Sequence, residues 1–495
     1  MTSPRRRTFA FVLIGVLLLQ AAWMLVVPAF RGLDEHDHAY KAAAVARGDW
    51  STTHEGLRGQ WGELVEVPRD LVTAARPVCE SLSYTTSANC TAYRAGPGDR
   101  VEVTSSAARY NPVFYFVVGS VARPFSGDAA LYAMRGAAAA MCAVMLALAA
   151  ATLRGRDSQG RWAVVGLVAA TSPVVVYSTT VAAPNGLEMA SAAVVWAAAS
   201  RLATGDAGTR GLLVAVTIGA VPLATVRTFG PLWLCLILVV VLAAFGTEHL
   251  RRLLRRADAR LAAAGIGLAV IGGLVWSAAA STNAPPPADQ AGAAASVWTV
   301  LPGEVLLWLL QSVGAFPARD DPAPLVVYAA VLSGWAILVG LAARLASRRE
   351  RAAILAVVAI SVLLPSAVTV ATYTAVGTAW QGRYSYPVAM GALILAGIAL
   401  DRADVAAERA LRVTGVLAAI GIAISQVASQ LRVLGLDNPT LPLAKATGWP
   451  VPAALSVAVL TIAGAVALGC AIADGVRRAR RQPVRAPRPE VRVGG

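Results

Sequence analysis

Long apolar runs recur from one end of the chain to the other, and short arginine-rich stretches separate them. The first begins at Thr8 and runs through "FAFVLIGVLLLQAAWMLVVPAF", about 22 residues and enough to cross a bilayer. A cleaved signal would have a shorter apolar centre and a small-residue site, so this stretch reads as a retained first helix. Charge punctuation sorts eleven more spans, at about 129–152, 162–181, 186–203, 211–225, 230–246, 261–280, 324–343, 351–371, 386–400, 412–430 and 451–473. Two further apolar stretches, "NPVFYFVVGSVARPF" (111–125) and "LPGEVLLWLLQSVGAF" (301–316), are short for a span and carry Pro and aromatics. They read as juxtamembrane or re-entrant helices on the outer face. The pattern predicts an all-α polytopic membrane protein of about twelve transmembrane helices, with exoplasmic loops at 29–128 and 281–323.

Composition agrees with the pattern. Of 495 residues, 57% are hydrophobic and 14% are charged, whereas a soluble chain carries charge on roughly a quarter. The net charge of +15 raises the question of nucleic acid. Its distribution answers it, because the arginines crowd into "RGRDSQGR", "HLRRLLRRADAR", "RLASRRER", "DRADVAAERALR" and the tail 474–495. That is the signature of cytoplasmic loops beside anionic lipid. The short outer loops hold almost only Arg227, Arg319, Arg383, Arg432 and Lys445. Both termini are therefore expected in the cytoplasm, the tail as a disordered segment. No zinc-finger spacing, aromatic-basic strand or phosphate-cradling glycine loop accompanies the charge, which excludes nucleic-acid binding as a working class.

Cys142, Cys235 and Cys470 fall inside expected spans. Cys79 and Cys90 close the twelve-residue segment "CESLSYTTSANC" in the first outer loop, where a structural disulfide is expected.

Several places carry candidate chemistry. "RGLDEHDHAY" (31–40) sets Asp34, Glu35 and Asp37 beside His36 and His38, just beyond the first span. In a helix Asp34, Asp37 and His38 share a face; in an extended segment Asp34, His36 and His38 do. Either arrangement joins a carboxylate to an imidazole. That suits general-base work or a Mg²⁺ or Mn²⁺ site built from Asp34, Glu35 and His38; simple helix capping stands beside both. "AWQGRYSYP" (379–387) puts Arg383 and Tyr384 on a side otherwise poor in positive charge. A guanidinium there can grip a phosphate, or snorkel within an aromatic belt. "LATVRTFG" places Arg227 at another outer boundary, and "APNGLE" places Asn185 and Glu188 between two spans. Arg135 lies inside the second span and needs a partner or a polar cavity. Asp37, His38, Lys41, Asn185 and Glu188 are supporting candidates.

"GLDEHDHAYKAAAVARGDW", "RYNPVFYFVVG", "APNGLE" and "WQGRYSYP" occur in this order over roughly residues 8–430. Together they resemble the bacterial membrane-protein family numbered 2142 among domains of unknown function, itself similar to the GT-C glycosyltransferases. The resemblance implies a helical bundle with a large first outer loop and an acidic residue after the first helix, here Asp34 with Glu35 beside it. That residue would act as general base or metal ligand, with Arg383, Tyr384 and Arg227 binding the donor phosphate. It further implies a polyprenyl-phosphate sugar donor, a glycan or lipid acceptor, transfer on the outer face and inverting chemistry. The family more usually has Pro where His36 stands, and an acid directly after the position of Asn185, where this chain has Gly186 and only later Glu188. A secondary transporter or lipid flippase, and a non-catalytic envelope-assembly protein, are the rival readings.

Overall fold

The computed structural model describes residues 3–50, 56–57, 62–79, 90–155, 160–205, 208–282, 296–316, 321–404, 408–436 and 451–474. The basic tail expected to be disordered, and outer-loop Arg319 and Lys445, lie outside these residues.

Helix α1 (Pro4–Val26) starts with Pro at its first position and with the Ser3 hydroxyl accepting from the Arg6 N–H at 3.4 Å. After a short turn comes α2 (Glu35–Val45). A small mixed subdomain follows: β1 (Glu63–Pro68), α3 (Arg69–Cys79), β2 (Tyr93–Ala95), β3 (Arg100–Ser105) and α4 (Pro112–Ala122). The first half of the bundle is α5 (Gly127–Arg154), α6 (Arg161–Ala170), α7 (Pro173–Ser178), α8 (Asn185–Ala203), α9 (Thr209–Thr225) and α10 (Gly230–Phe245). Then come α11 (Glu248–Leu253), α12 (Ala257–Ala279), α13 (Val297–Val313), α14 (Leu325–Leu345), α15 (Arg348–Val376), α16 (Gly382–Arg402), α17 (Glu408–Leu436) and α18 (Ala454–Ala473).

Eight of these helices, α1, α5, α12 and α14 to α18, are long and apolar enough to cross a membrane. Twelve were expected, and each shortfall has a local cause. The run at 162–181 is broken, because Pro173 lacks an N–H and opens α7 as a separate helix. Helices α9 and α10, at 17 and 16 residues, fall short of a span and are joined by the turn at Val226–Phe229. Helix α8 has the length but carries Asn185, Glu188 and Arg201, and it is buried from Asn185 to Ser200 among its neighbours. The two short apolar stretches are indeed helices below spanning length, α4 and α13.

Small residues set the helix spacing. Gly15 on α1 faces Gly464 on α18 so closely that a Cβ on Gly464 would meet the Gly15 carbonyl oxygen at 2.8 Å. This is how membrane helices gain contact without a hydrophobic driving force between them. Trp23, fully buried, packs against Phe316 at 4.7 Å and Tyr177 at 5.3 Å between ring centroids, and its indole N–H donates to Gln426 Oε1 at 2.7 Å.

The architecture is not wholly helical. β1, β3 and β2 form a three-stranded antiparallel sheet in that order, with Val65 opposite Val103 and Val67 opposite Val101. The inward valines Val65, Val67, Val101 and Val103 give the sheet one apolar face. Cys79 and Cys90 are bonded to each other, with Cα atoms 6.0 Å apart, and tie the end of α3 to the chain leading into β2. Tyr40 on α2 donates its hydroxyl to the Cys90 carbonyl at 2.8 Å, so the bridge also holds α2. Cys79→Ser is expected to cost about 3 kcal/mol. A thermal midpoint lowered relative to wild type under non-reducing conditions, with the gap closing when both are reduced, is the check.

Candidate functional site

The acidic cluster sorts into three separate tasks because successive helical positions turn by about 100°. Glu35 faces down into the bundle and is completely buried. Its Oε1 accepts from Arg135 Nε at 2.8 Å and from the Ala182 N–H at 3.1 Å; its Oε2 accepts from Arg135 Nη2 at 2.6 Å and from the Gly32 N–H at 3.2 Å. Arg135 Nη1 and Nη2 also donate to the carbonyls of Val27 and Pro28 at 2.7 and 2.8 Å. One ion pair thereby fixes the end of α1, the start of α2 and the approach to α8. Arg135 has the partner its position demanded, and both Glu35 oxygens are taken.

Asp37 points the other way. Its Oδ1 accepts from the Ser106 N–H at 2.8 Å and its Oδ2 from the Ser106 hydroxyl at 2.7 Å, which docks α2 on the segment after β3. Asp34 does neither. It occupies the N-cap position of α2 with φ 54° and ψ 18°, left-handed backbone that Asp tolerates better than most residues, and its side chain makes no cap hydrogen bond. The residue is half-buried.

Aromatics and two arginines stand around His38 on α2. Asn111 caps α4 by accepting from the Val113 N–H at 3.1 Å, which holds Tyr110 just before the helix. His38 lies nearly parallel to Tyr110 and Tyr115, at centroid distances of 6.0 and 5.9 Å, and its Nδ1 is 2.8 Å from the Tyr115 hydroxyl. Arg227 sits over the Tyr384 ring at 4.9 Å and the Tyr110 ring at 5.4 Å. It donates to Asn185 Oδ1, and its Nε lies 3.9 Å from Glu188 Oε2. Burial pushes the Tyr110 phenol up; Arg227 and Arg383 pull it down, and Tyr384 and Asp34 push it up. Arg383 also lies 5.6 Å from the Tyr384 ring centroid, so the two arginines meet at Tyr384 and Arg227 alone reaches on to Tyr110.

Much of "WQGRYSYP" is packing. Gly382 lies so close to α13 that a Cβ would meet the Trp308 carbonyl oxygen at 2.0 Å, and its N–H donates to Gln311 Oε1 at 2.8 Å. Trp380 donates to the Ser385 hydroxyl at 3.1 Å, Tyr386 donates to the Ala170 carbonyl at 2.7 Å, and the Pro387 carbonyl accepts from Trp196 at 3.0 Å. Arg383 lines a small cleft with Tyr177, Gln381 and Leu33, the residue before Asp34, and its Nε is buried with no hydrogen-bond partner among the described residues.

Asp34, Glu35 and His38 do not converge on a metal. Among the described residues, the group whose ligand atoms lie within 4.8 Å of one another is His36, Cys79 and Cys90, all buried, which could coordinate an ion. Its sulfurs are bonded to each other, and a sulfur-rich set suits softer ions than Mg²⁺ or Mn²⁺. Lys41 is also apart from the site. Its buried Nζ has no hydrogen-bond partner among the described residues, and desolvation, opposed by Asp49 and Glu63, lowers its pKa to about 8.

Sequence reasoning passed over Tyr110 and Tyr115, although both lie in the quoted "RYNPVFYF"; the signal was aromatic side chains within one turn of a helix cap. His38 carries a pH consequence. Burial first, then Arg227, Arg383 and His36, holds its imidazole well below the usual value. Below the unfolded-state value of about 6.5 the unfolded chain binds a proton that the folded chain refuses, so stability falls on acidification. Thermal midpoints measured from pH 7.5 to 5 should decline in the wild type and decline less in His38→Gln.

No curated protein matches the sequence. Among solved structures, a crystal structure of ArnT from Cupriavidus metallidurans bound to undecaprenyl phosphate matches at 16% identity and a TM-score of 0.44, over 95% of this chain and 78% of that one. The family model described as "Predicted membrane protein (DUF2142)" matches residues 17–392, about three quarters of the chain. With that match over more than half of its length, and with eight described helices long and apolar enough to cross a membrane, the chain belongs to the DUF2142 family.

Proposed function

We propose that this protein is an inverting membrane glycosyltransferase of GT-C type, with both termini cytoplasmic, that moves a sugar from a polyprenyl-phosphate donor to a glycan or lipid acceptor at the outer face. The observation that supports the reading is the pair of guanidinium groups, Arg227 and Arg383, at 4.9 and 5.6 Å from the Tyr384 ring, with Arg383 sharing a cleft with Leu33, the residue before Asp34. That arrangement suits a reaction in which a hydroxyl loses a proton while a phosphate leaves. Asp34 would take the proton of the acceptor hydroxyl as its oxygen bonds to the sugar carbon. The sugar–phosphate C–O bond breaks in the same displacement, and its electron pair passes to the phosphate. Arg383, with an Nε that has no hydrogen-bond partner among the described residues, would receive that charge.

Arg227 is better described as a positioning residue. Asn185 and Glu188 hold it from below, and Tyr110 and Tyr384 lie on its faces. It would add positive potential and fix Tyr384 against the donor. Glu35, Asp37 and Lys41 serve the scaffold, and no step is assigned to a metal. An apolar groove of about 340 Å³, lined by α6, α14 and α17, shares the start of α7 with the Arg383 cleft and would lodge part of the isoprenoid chain.

The test is a panel of labelled polyprenyl-phosphate sugars offered to the purified protein in liposomes, with acceptor extract. Product from at least one donor supports the reading, and Arg383→Ala should reduce its turnover by about 10²-fold. Vectorial solute uptake into sealed vesicles, with no glycosylated product from any donor, would replace the reading with transport.

A further inference from the structure

At the pole of the bundle opposite the β-sheet, several arginines gather, and the guanidinium of one of them is buried without a hydrogen-bond partner among the described residues. Arg154, the last residue of α5, is fully buried, and its Nε, Nη1 and Nη2 all lack a hydrogen-bond partner among the described residues. Two buried hydroxyls on the adjoining helix ends, Thr8 on α1 and Thr152 on α5, are likewise unpartnered. A guanidinium has five N–H donors, and burying it unsatisfied is among the more costly things a fold can do.

The neighbouring charges do not resolve it. Arg7, Arg161, Asp401 and Asp474 lie within electrostatic reach of Arg154. Asp401 is committed to the start of α6, accepting from the N–H groups of Arg161, Trp162 and Ala163 at 2.9, 2.8 and 2.8 Å. Asp474 pairs with Arg7 at 3.2 Å. Arg201 on α8 lies against Gly155, the residue after Arg154, and brings a fourth guanidinium. Among the described residues, both carboxylates within reach of Arg154 are thus already engaged, and neither bonds to its guanidinium.

We infer that this pole is a binding site for a phosphate group, with Arg154 as its bidentate anchor and Arg7 beside it. The planar fork of Arg154 matches two phosphate oxygens, and the threonine hydroxyls can donate to a third. The site sits where spanning helices end, so the phosphate comes either from the headgroup of an anionic phospholipid or from free inorganic phosphate. It is separate from the Asp34 and Arg383 site and stands whether or not sugar transfer occurs there.

The full-length protein is reconstituted in nanodiscs of phosphatidylcholine alone or with phosphatidylglycerol, and retained lipid is counted by native mass spectrometry alongside the thermal midpoint. For a lipid source, the wild type keeps one phosphatidylglycerol per chain and melts higher in its presence, while Arg154→Gln binds it about tenfold more weakly and loses the shift. For a free source, inorganic phosphate raises the wild-type midpoint in phosphatidylcholine discs, with no preference for phosphatidylglycerol. Arg7→Gln, which leaves Arg154 in place, serves as the second variant and should show a smaller loss. The inference is overturned if neither probe shifts the wild type, or if both variants respond to the probes as the wild type does.

Discussion

Replacing Arg135 with Met is expected to remove most of the folded protein. The substitution leaves Glu35 buried, 0% exposed, and deprived of its counter-charge at 2.6 and 2.8 Å. Removing one partner of a buried pair costs about 3–5 kcal/mol, a large part of the 5–15 kcal/mol that holds a typical domain together. The loss is compounded because Arg135 also satisfies the carbonyls of Val27 and Pro28 where α1 ends. Fluorescence-detected size exclusion should show the monodisperse peak of Arg135→Met nearly gone. The double variant Glu35→Leu with Arg135→Met should recover part of that peak, since it removes the stranded charge along with its partner. Equal loss in the single and double variants would mean that the carbonyl contacts, rather than the ion pair, carry the stability.

Asp34→Asn is the opposite kind of change, with a large effect on chemistry and a small one on folding. Asn is nearly the same size as Asp, keeps an oxygen acceptor, and tolerates the left-handed backbone at φ 54° about as well. The folded protein should therefore accumulate at the wild-type level. Amide for carboxylate removes the proton acceptor, however, and a positioned general base is worth about 10²–10⁴ in rate. His38, 2.8 Å from the Tyr115 hydroxyl and flanked by two tyrosine rings, is in no position to substitute for it.

The membrane architecture was legible because apolar length and arginine-rich punctuation are properties of the bilayer boundary itself, independent of how helices pack. The number of spans was not. Pro173 divides a continuous apolar run, and the run around α8 hides a helix sheathed by protein. The small sheet escaped notice because β2 has three residues and "ELVEVP" and "RVEVTS" lie far apart in a polar loop.

The acidic cluster shows most clearly where sequence reasoning stops. Its composition announced a site, but spacing could not say that Glu35 turns toward Arg135 and Asp37 toward Ser106. Those directions depend on partners about 70 to 100 residues away. Arg135 could be read as needing a partner, and only the fold names Glu35. Arg383 and Tyr384 could be singled out from "WQGRYSYP", whereas the packing duties of Gly382, Tyr386 and Pro387 rest on contacts with α13, α6 and α8.

The central claim is that Asp34 is the base in a sugar transfer whose departing phosphate Arg383 receives. Its most direct test compares wild type and Asp34→Asn at equal amounts of folded protein, scoring both retention of a polyprenyl phosphate and formation of labelled product. The account predicts that the variant still retains the lipid phosphate and forms product at least about 10²-fold more slowly. An Asp34→Asn protein that turns over at the wild-type rate would contradict it.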